Sequence, residues 1–226
     1  MQKILLTMTA LGGLCVASAA GAADLTSYNS GSYNAMTYGA PVSDWSGFYA
    51  GGNVGYGWGK ATTNLAAPYD TLNTAGFNGG VQAGYNFQAG ELVFGVEADA
   101  QLSNIYYSQT IGAHTTKVGV DYFGTLRGRV GYSFDAFMPY ATAGIAAGRG
   151  TASNTNLGVT TTSSQTHVGW ALGAGVEVAV TDQVTAKAEY LYTNLGTQTY
   201  AAGFPSGGGT TNLDFGTIRV GVNYKF

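Results

Sequence analysis

Apolar side chains recur at every second position in separate segments of this 226-residue chain, and the last such segment runs to the final residue. There Ile218, Val220, Val222, Tyr224 and Phe226 alternate with Arg219, Gly221, Asn223 and Lys225. A period of two places the two sets on opposite sides of a strand. Upstream, Phe48, Ala50, Val54, Tyr56 and Trp58 share one face of a first segment, with Tyr49, Asn53 and several glycines on the other. Phe77, Val81, Ala83, Tyr85 and Phe87 oppose Asn78, Gln82 and Asn86 in a second. In a third, Leu92, Phe94, Val96, Ala98 and Leu102 oppose Glu97, Asp99 and Gln101. The fourth sets Val118, Val120, Tyr122, Leu126, Val130 and Tyr132 against Asp121, Thr125, Arg127 and Arg129. The fifth, Pro139 to Gly148, is so rich in Ala and Gly that its faces stay unassigned. Val168, Trp170, Leu172, Ala174 and Val176 oppose His167, Gly173 and Glu177 in the sixth, and Val184, Ala186, Ala188, Tyr190 and Tyr192 oppose Thr185, Lys187 and Glu189 in the seventh.

What covers these apolar faces follows from the charge content. Only 9% of the residues are charged, against about a quarter in soluble domains. No apolar stretch beyond the N-terminus approaches the roughly 20 residues of a spanning helix. Strands facing lipid must close into a barrel, because lipid offers no partner to an open edge. The expected fold is therefore all-β: a transmembrane, eight-stranded, antiparallel up-and-down β-barrel.

Link lengths agree with that fold. The stretches around 61–75, 103–116, 150–165 and 195–212 read as long loops rich in Thr, Ser, Asn and Gly, and those at 88–91, 133–138 and 181–183 as short turns. Long external loops alternating with short periplasmic turns leave both termini in the periplasm. Trp58, Phe87, Tyr132, Tyr192, Tyr224 and Phe226 lie near segment ends, where an interfacial girdle belongs.

At the N-terminus, Lys3, an apolar run over Ile4–Ala17 and small residues over Ser18–Ala23 form a secretory signal peptide, residues 1–23, with cleavage after Ala22 or Ala23. Residues 24–44, with Tyr28, Tyr33 and Tyr38 among Ser, Asn and Gly, read as a flexible periplasmic linker, and 45–226 as the barrel. The single cysteine, Cys15, falls within the signal and follows Leu14, so neither a disulfide nor a lipid anchor is expected. After cleavage eight basic residues face twelve acidic ones, a balance that does not suit nucleic acid.

Asp44-Trp45-Ser46-Gly47-Phe48-Tyr49-Ala50-Gly51 leading into the first strand, with Tyr224-Lys225-Phe226 closing the last, resembles the alphaproteobacterial outer-membrane immunogenic proteins of the opacity-like porin family. The resemblance covers the chain after the signal and implies an abundant surface protein of the outer membrane. It does not imply a substrate. In outer-membrane barrels generally, a C-terminal segment such as Val222, Tyr224 and Phe226 is read by the assembly machinery, so that machinery and periplasmic chaperones are expected partners during biogenesis.

With the apolar faces in lipid, the polar faces line the lumen and bring in Glu97, Asp99, Asp121, Glu177 and Glu189 with Arg127, Arg129, Lys187 and Arg219. Five acids against four bases suit mutual pairing within a narrow barrel, where an unpaired charge costs several kcal/mol. The expectation is a plugged lumen and a structural protein that contributes to outer-membrane integrity and presents its loops. Inward glycines (Gly55, Gly84, Gly95, Gly131, Gly173, Gly221) keep open the alternative of a narrow porin for small solutes. Uncharged loops such as Thr160–Ser164 and Ala201–Asn212 keep open an adhesin or ligand binder, meeting lipopolysaccharide or host ligands. Catalysis is not expected: His167 lies near Ser163 and Ser164 at the outer rim, but no further triad member can be placed. His114 reads as a solvated loop residue, no metal or other cofactor is expected, and Gly207–Gly209 lacks the Lys-Ser/Thr of a phosphate loop.

Overall fold

The computed structural model describes residues 44–63, 71–111, 114–157, 159–204 and 207–226. Residues 1–23 and nearly all of the 24–44 linker lie outside them. Eight antiparallel strands follow in chain order: β1 (Gly47–Thr63), β2 (Thr71–Ala89), β3 (Leu92–Ile111), β4 (His114–Tyr132), β5 (Phe137–Asn156), β6 (Val159–Ala179), β7 (Val184–Phe204) and β8 (Gly207–Lys225). Each pairs with the next, and β1 pairs with β8 from Tyr49↔Lys225 to Thr63↔Thr211. The sheet closes on itself, so no strand presents an open edge.

The two sides differ as lipid and lumen should. Phe77 is 72% exposed and Asn78 only 6%; Val222 is 56% exposed and Asn223 only 1%. Along β5 the odd residues Ala141, Ala143 and Ile145 face out, and Met138, Tyr140 and Thr142 face in. This settles the strand whose composition hid its faces.

The strands are far longer than the alternation suggested. The stretches expected as long loops are mostly strand, with β3 and β4 paired out to Ile111↔His114 and β5 and β6 out to Asn156↔Val159. Thr dominates these extensions and favours extended backbone, but as a polar residue it hides any inside–outside pattern. A strand of 20 residues, at about 3.3 Å per residue and a tilt of about 40°, climbs roughly 50 Å, twice the apolar band of about 25 Å. Half of the barrel therefore projects beyond the lipid at the end away from the termini, here called the distal end. The terminal end carries the termini and short turns such as that at Gly90, whose φ of 65° suits glycine.

β4 also departs from the expected alternation. Its register shifts between Val120 and Tyr122, and the extra residue reverses which side chains face in. Val118 and Val120, expected on the lipid side with Tyr122, are 0% and 2% exposed and lie in the lumen.

Candidate functional site

The lumen is the region where the fold gathers chemistry, and it is filled in three layers. At the terminal end the Trp45 ring packs with Val93, Met138 and Tyr140. Its indole Nε1 donates to Ser133 Oγ at 3.0 Å, and its backbone N–H donates to Gln88 Oε1 at 2.8 Å. Beside it the Ser46 N–H donates to Asp44 Oδ1 at 2.8 Å and holds that carboxyl below its usual range, while Lys225 Nζ contacts the Asp44 carbonyl. The segment entering β1 thus stoppers the barrel mouth.

Above it lies a network of ionised groups. Arg127 on β4 reaches Glu97 at 2.5 Å and Asp99 at 3.1 Å on β3, and Glu189 at 2.9 Å across the lumen on β7. Arg219 on β8 meets Glu189 at 2.6 Å and Asp99 at 3.3 Å. Lys187 meets Glu97 at 2.8 Å, and Arg129 meets Glu177 at 2.6 Å. Four carboxylates and four cations are brought together, so the layer is neutral. Each such charge excluded from water demands several partners. The expected positions on β3, β4, β6, β7 and β8 therefore meet, with one exception.

Asp121 is that exception. It sits in the β4 bulge, where Tyr106 and Thr151 hydroxyls donate to its two oxygens, the latter at 2.5 Å. Tyr106 covers Gly119 and Thr151 continues the odd, outward side of β5, so Asp121 belongs to the outer surface. The same bulge that turns Val120 inward turns this carboxylate away from the lumen.

The layer has further members that the charge pattern of the sequence does not mark. Tyr49 donates to Glu97 Oε2 at 2.8 Å and accepts from Arg129 at 3.1 Å. Tyr140 donates to Glu189 Oε2 at 2.7 Å, and its ring lies 4.2 Å below the Arg129 guanidinium. Amides extend the net: Asn53 donates to Gln82, Gln82 to Asn223, and Asn223 to Glu177 at 2.8 Å. The alternation places Tyr49 on the polar face of β1, its one signal in the sequence; Tyr140 lies in the strand whose composition leaves its faces unassigned.

The third layer is apolar. In the distal half Ile105, Val118, Val120, Phe123, Leu191, Leu195, Leu213 and Phe215 pack into one cluster, with the Phe123 and Phe215 rings edge to face at 5.2 Å. His167 borders it, wholly buried, with Nε2 2.8 Å from the Tyr200 hydroxyl and Nδ1 3.4 Å from the Gly196 carbonyl. Ser164 instead faces outward and bonds Thr151 at 3.0 Å, so this serine and the histidine do not meet. Among the described residues, no three His, Cys, Asp or Glu side chains converge as metal ligands.

At two of the inward glycines a large neighbour occupies the space beside the strand. A Cβ at Gly84 would fall 2.5 Å from the Tyr49 ring, and one at Gly131 would fall 2.9 Å from the Met138 side chain.

Comparison with known proteins agrees with this architecture. The family described as "Outer membrane protein beta-barrel domain" matches residues 6–226. The 25 kDa outer-membrane immunogenic protein of Brucella abortus is 39% identical over 190 residues, covering 83% of this chain and 82% of the relative. The 22 kDa outer membrane protein of Rhizobium leguminosarum bv. viciae is 36% identical over 186 residues, covering 82% and 80%. Among solved structures, Neisserial surface protein A aligns with a TM-score of 0.52 at 24% identity, over 80% of this chain and 98% of its own, and shows the same fold. A closed eight-stranded barrel, an apolar outer belt and relatives of this kind place the chain in the outer membrane of a Gram-negative bacterium, and it belongs to the outer-membrane protein β-barrel family.

Proposed function

We propose that this protein is a non-conducting structural barrel that strengthens the outer membrane and carries a stiff strand extension beyond it. The observation behind this reading is the stack of three lumen layers: the Trp45 stopper, the neutral ion network and the buried apolar cluster. Ions crossing such a path would have to displace the pairs within the network and enter a layer of buried apolar side chains, and charge burial without partners is costly. This observation favours the structural role over a narrow porin. The relatives' name, immunogenic, supports a distal end that faces the outside, with both termini in the periplasm.

The test is single-channel recording of the purified protein in a planar bilayer. Folded barrels are expected to stay electrically silent; reproducible discrete openings would overturn the reading.

Assembly is read from the last strand. Val222, Tyr224 and Phe226 project outward, the Tyr224 and Phe226 rings meet edge to face with centroids 5.3 Å apart, and the Phe226 N–H donates to the Phe48 carbonyl at 3.0 Å. Deleting Phe226 removes the last rung of the β1–β8 seam and the terminal aromatic. The folded, membrane-inserted fraction is expected to drop sharply, as measured by heat-modifiable mobility of outer-membrane extracts. Wild-type levels would show that the terminal aromatic is not the assembly signal.

A further inference from the structure

The outer surface of β3 to β6 carries a polar row at the distal edge of the membrane belt. Tyr106 and Thr151 hold Asp121, and the Thr151 hydroxyl lies 3.0 Å from that of Ser164. Arg149 flanks the row on the membrane side, paired across from Tyr122, and Lys117 flanks it on the far side, opposite Ser153. Both are exposed, and neither makes an ion pair among the described residues. Four register positions separate Arg149 from Ser153, so the two cations stand about 13 Å apart along the strand. On the opposite side of the barrel the outward Lys60 faces Asp214 in register, so the unopposed cations are on the β4–β5 face.

Immediately below Arg149 the lipid-facing surface is grooved. Val81, Ala100, Leu102, Gly124 and Ala147 line a trough of about 580 Å³ that Arg149 and Thr166 close at its distal end. Arg149 is twelve residues beyond Phe137, hence about 30 Å from the terminal end of β5, just past an apolar belt of about 25 Å. An apolar trough that ends under a cation at this depth matches an acyl chain ending in an anionic head group. The second cation and the carboxylate–hydroxyl row add places for a second phosphate and for sugar hydroxyls. Asp121 already accepts two hydrogen bonds, so it moderates the cations without neutralising either in a direct pair.

We infer that this face docks a phosphorylated glycolipid of the outer leaflet, with an acyl chain in the trough, phosphates on Arg149 and Lys117, and sugar hydroxyls along Asp121, Thr151 and Ser164. Phosphatidylglycerol offers one phosphate and no sugar ring, and so fills only part of the site. The inference rests on the outer-membrane placement and on the distal end facing outward. It is independent of the closed lumen, so a conducting barrel would leave it intact.

The probe is bisphosphorylated lipid A, titrated against the detergent-purified protein and read as bound lipid by native mass spectrometry. Phosphatidylglycerol and dephosphorylated lipid A serve as comparators. Wild-type protein is expected to retain lipid A in preference to both. The Arg149→Gln/Lys117→Gln variant, with folding checked by heat-modifiable mobility, is expected to bind it on the order of twenty-five-fold more weakly, at about fivefold per cation. Leu102→Trp, which fills the trough without touching a charge, is expected to weaken retention as well. Equal retention of lipid A by the charge variant, or retention of phosphatidylglycerol as strong as that of lipid A, would overturn the assignment.

Discussion

Arg127→Ala is expected to lower the unfolding free energy in bilayers by about 3–5 kcal/mol, the cost of leaving buried charges without their partner. Arg127 is 1% exposed and binds three carboxylates, while its Nε donates to Thr125 Oγ1 at 2.8 Å. Its removal gives the lumen a net charge of −1 and takes one cation each from Glu97, Asp99 and Glu189. Glu97 keeps Lys187 at 2.8 Å and Glu189 keeps Arg219 at 2.6 Å, so the defect falls hardest on Asp99, whose remaining cation is 3.3 Å away. Arg127→Lys should recover little, because one ammonium cannot span three acceptors held by a planar fork. Arg127→Met/Asp99→Asn should recover a measurable part, because it restores neutrality and removes the least satisfied anion. Urea unfolding in lipid vesicles provides the measurement. A single variant as stable as wild type would mean that the network does not hold the barrel together.

Where the sequence was informative, the membrane had simplified the pattern. Lipid forbids polar side chains outside, so Phe77 against Asn78 or Val222 against Asn223 could be read without any knowledge of the fold. The pairing of Glu97 with Arg127 was equally accessible, because both point inward from adjacent strands and meet in register. Arg127 with Glu189 was not, since that contact crosses the lumen from β4 to β7 and depends on how narrow the barrel is. Past the membrane belt the constraint changes. The inside of the distal half is apolar and the outside polar, the reverse of the rule that applies within lipid. Val118 and Val120 therefore looked like lipid-facing residues, and only the bulge beside Asp121 reveals that they are core. Leu195 falls in the 195–212 stretch that reads as a loop and Leu213 directly after it, because the Thr, Asn and Gly around them conceal continuous strand. The glycines misled in another way. They suggested empty space, whereas Gly84 and Gly131 mark where Tyr49 and Met138 lie across the strand, and Gly95 where Asn86 and Arg129 do.

Phe215→Ala is the corresponding test of the apolar layer, with an expected loss of about 3–5 kcal/mol. Phe215 is 2% exposed, its ring meets Phe123 edge to face, and the backbone of β1 at Gly59 lies against it so closely that a Cβ there would fall 2.5 Å from Phe215 Cβ. Paired strands on both sides prevent the wall from collapsing into the space that the ring vacates. Phe77→Ala is the informative control, because Phe77 is a phenylalanine on the lipid face. Both substitutions forfeit the transfer of a phenyl group out of water, but at Phe77 acyl chains refill the gap. At Phe215 a cavity of about 100 Å³ remains, which at about 24 cal/mol per Å³ adds roughly 2 kcal/mol. The expected order is therefore Phe215→Ala well below Phe77→Ala in stability, both measured by urea unfolding in the same vesicles. The reverse order would mean that the distal lumen is wet and yielding, and the case for a closed barrel would then rest on the charged layer alone.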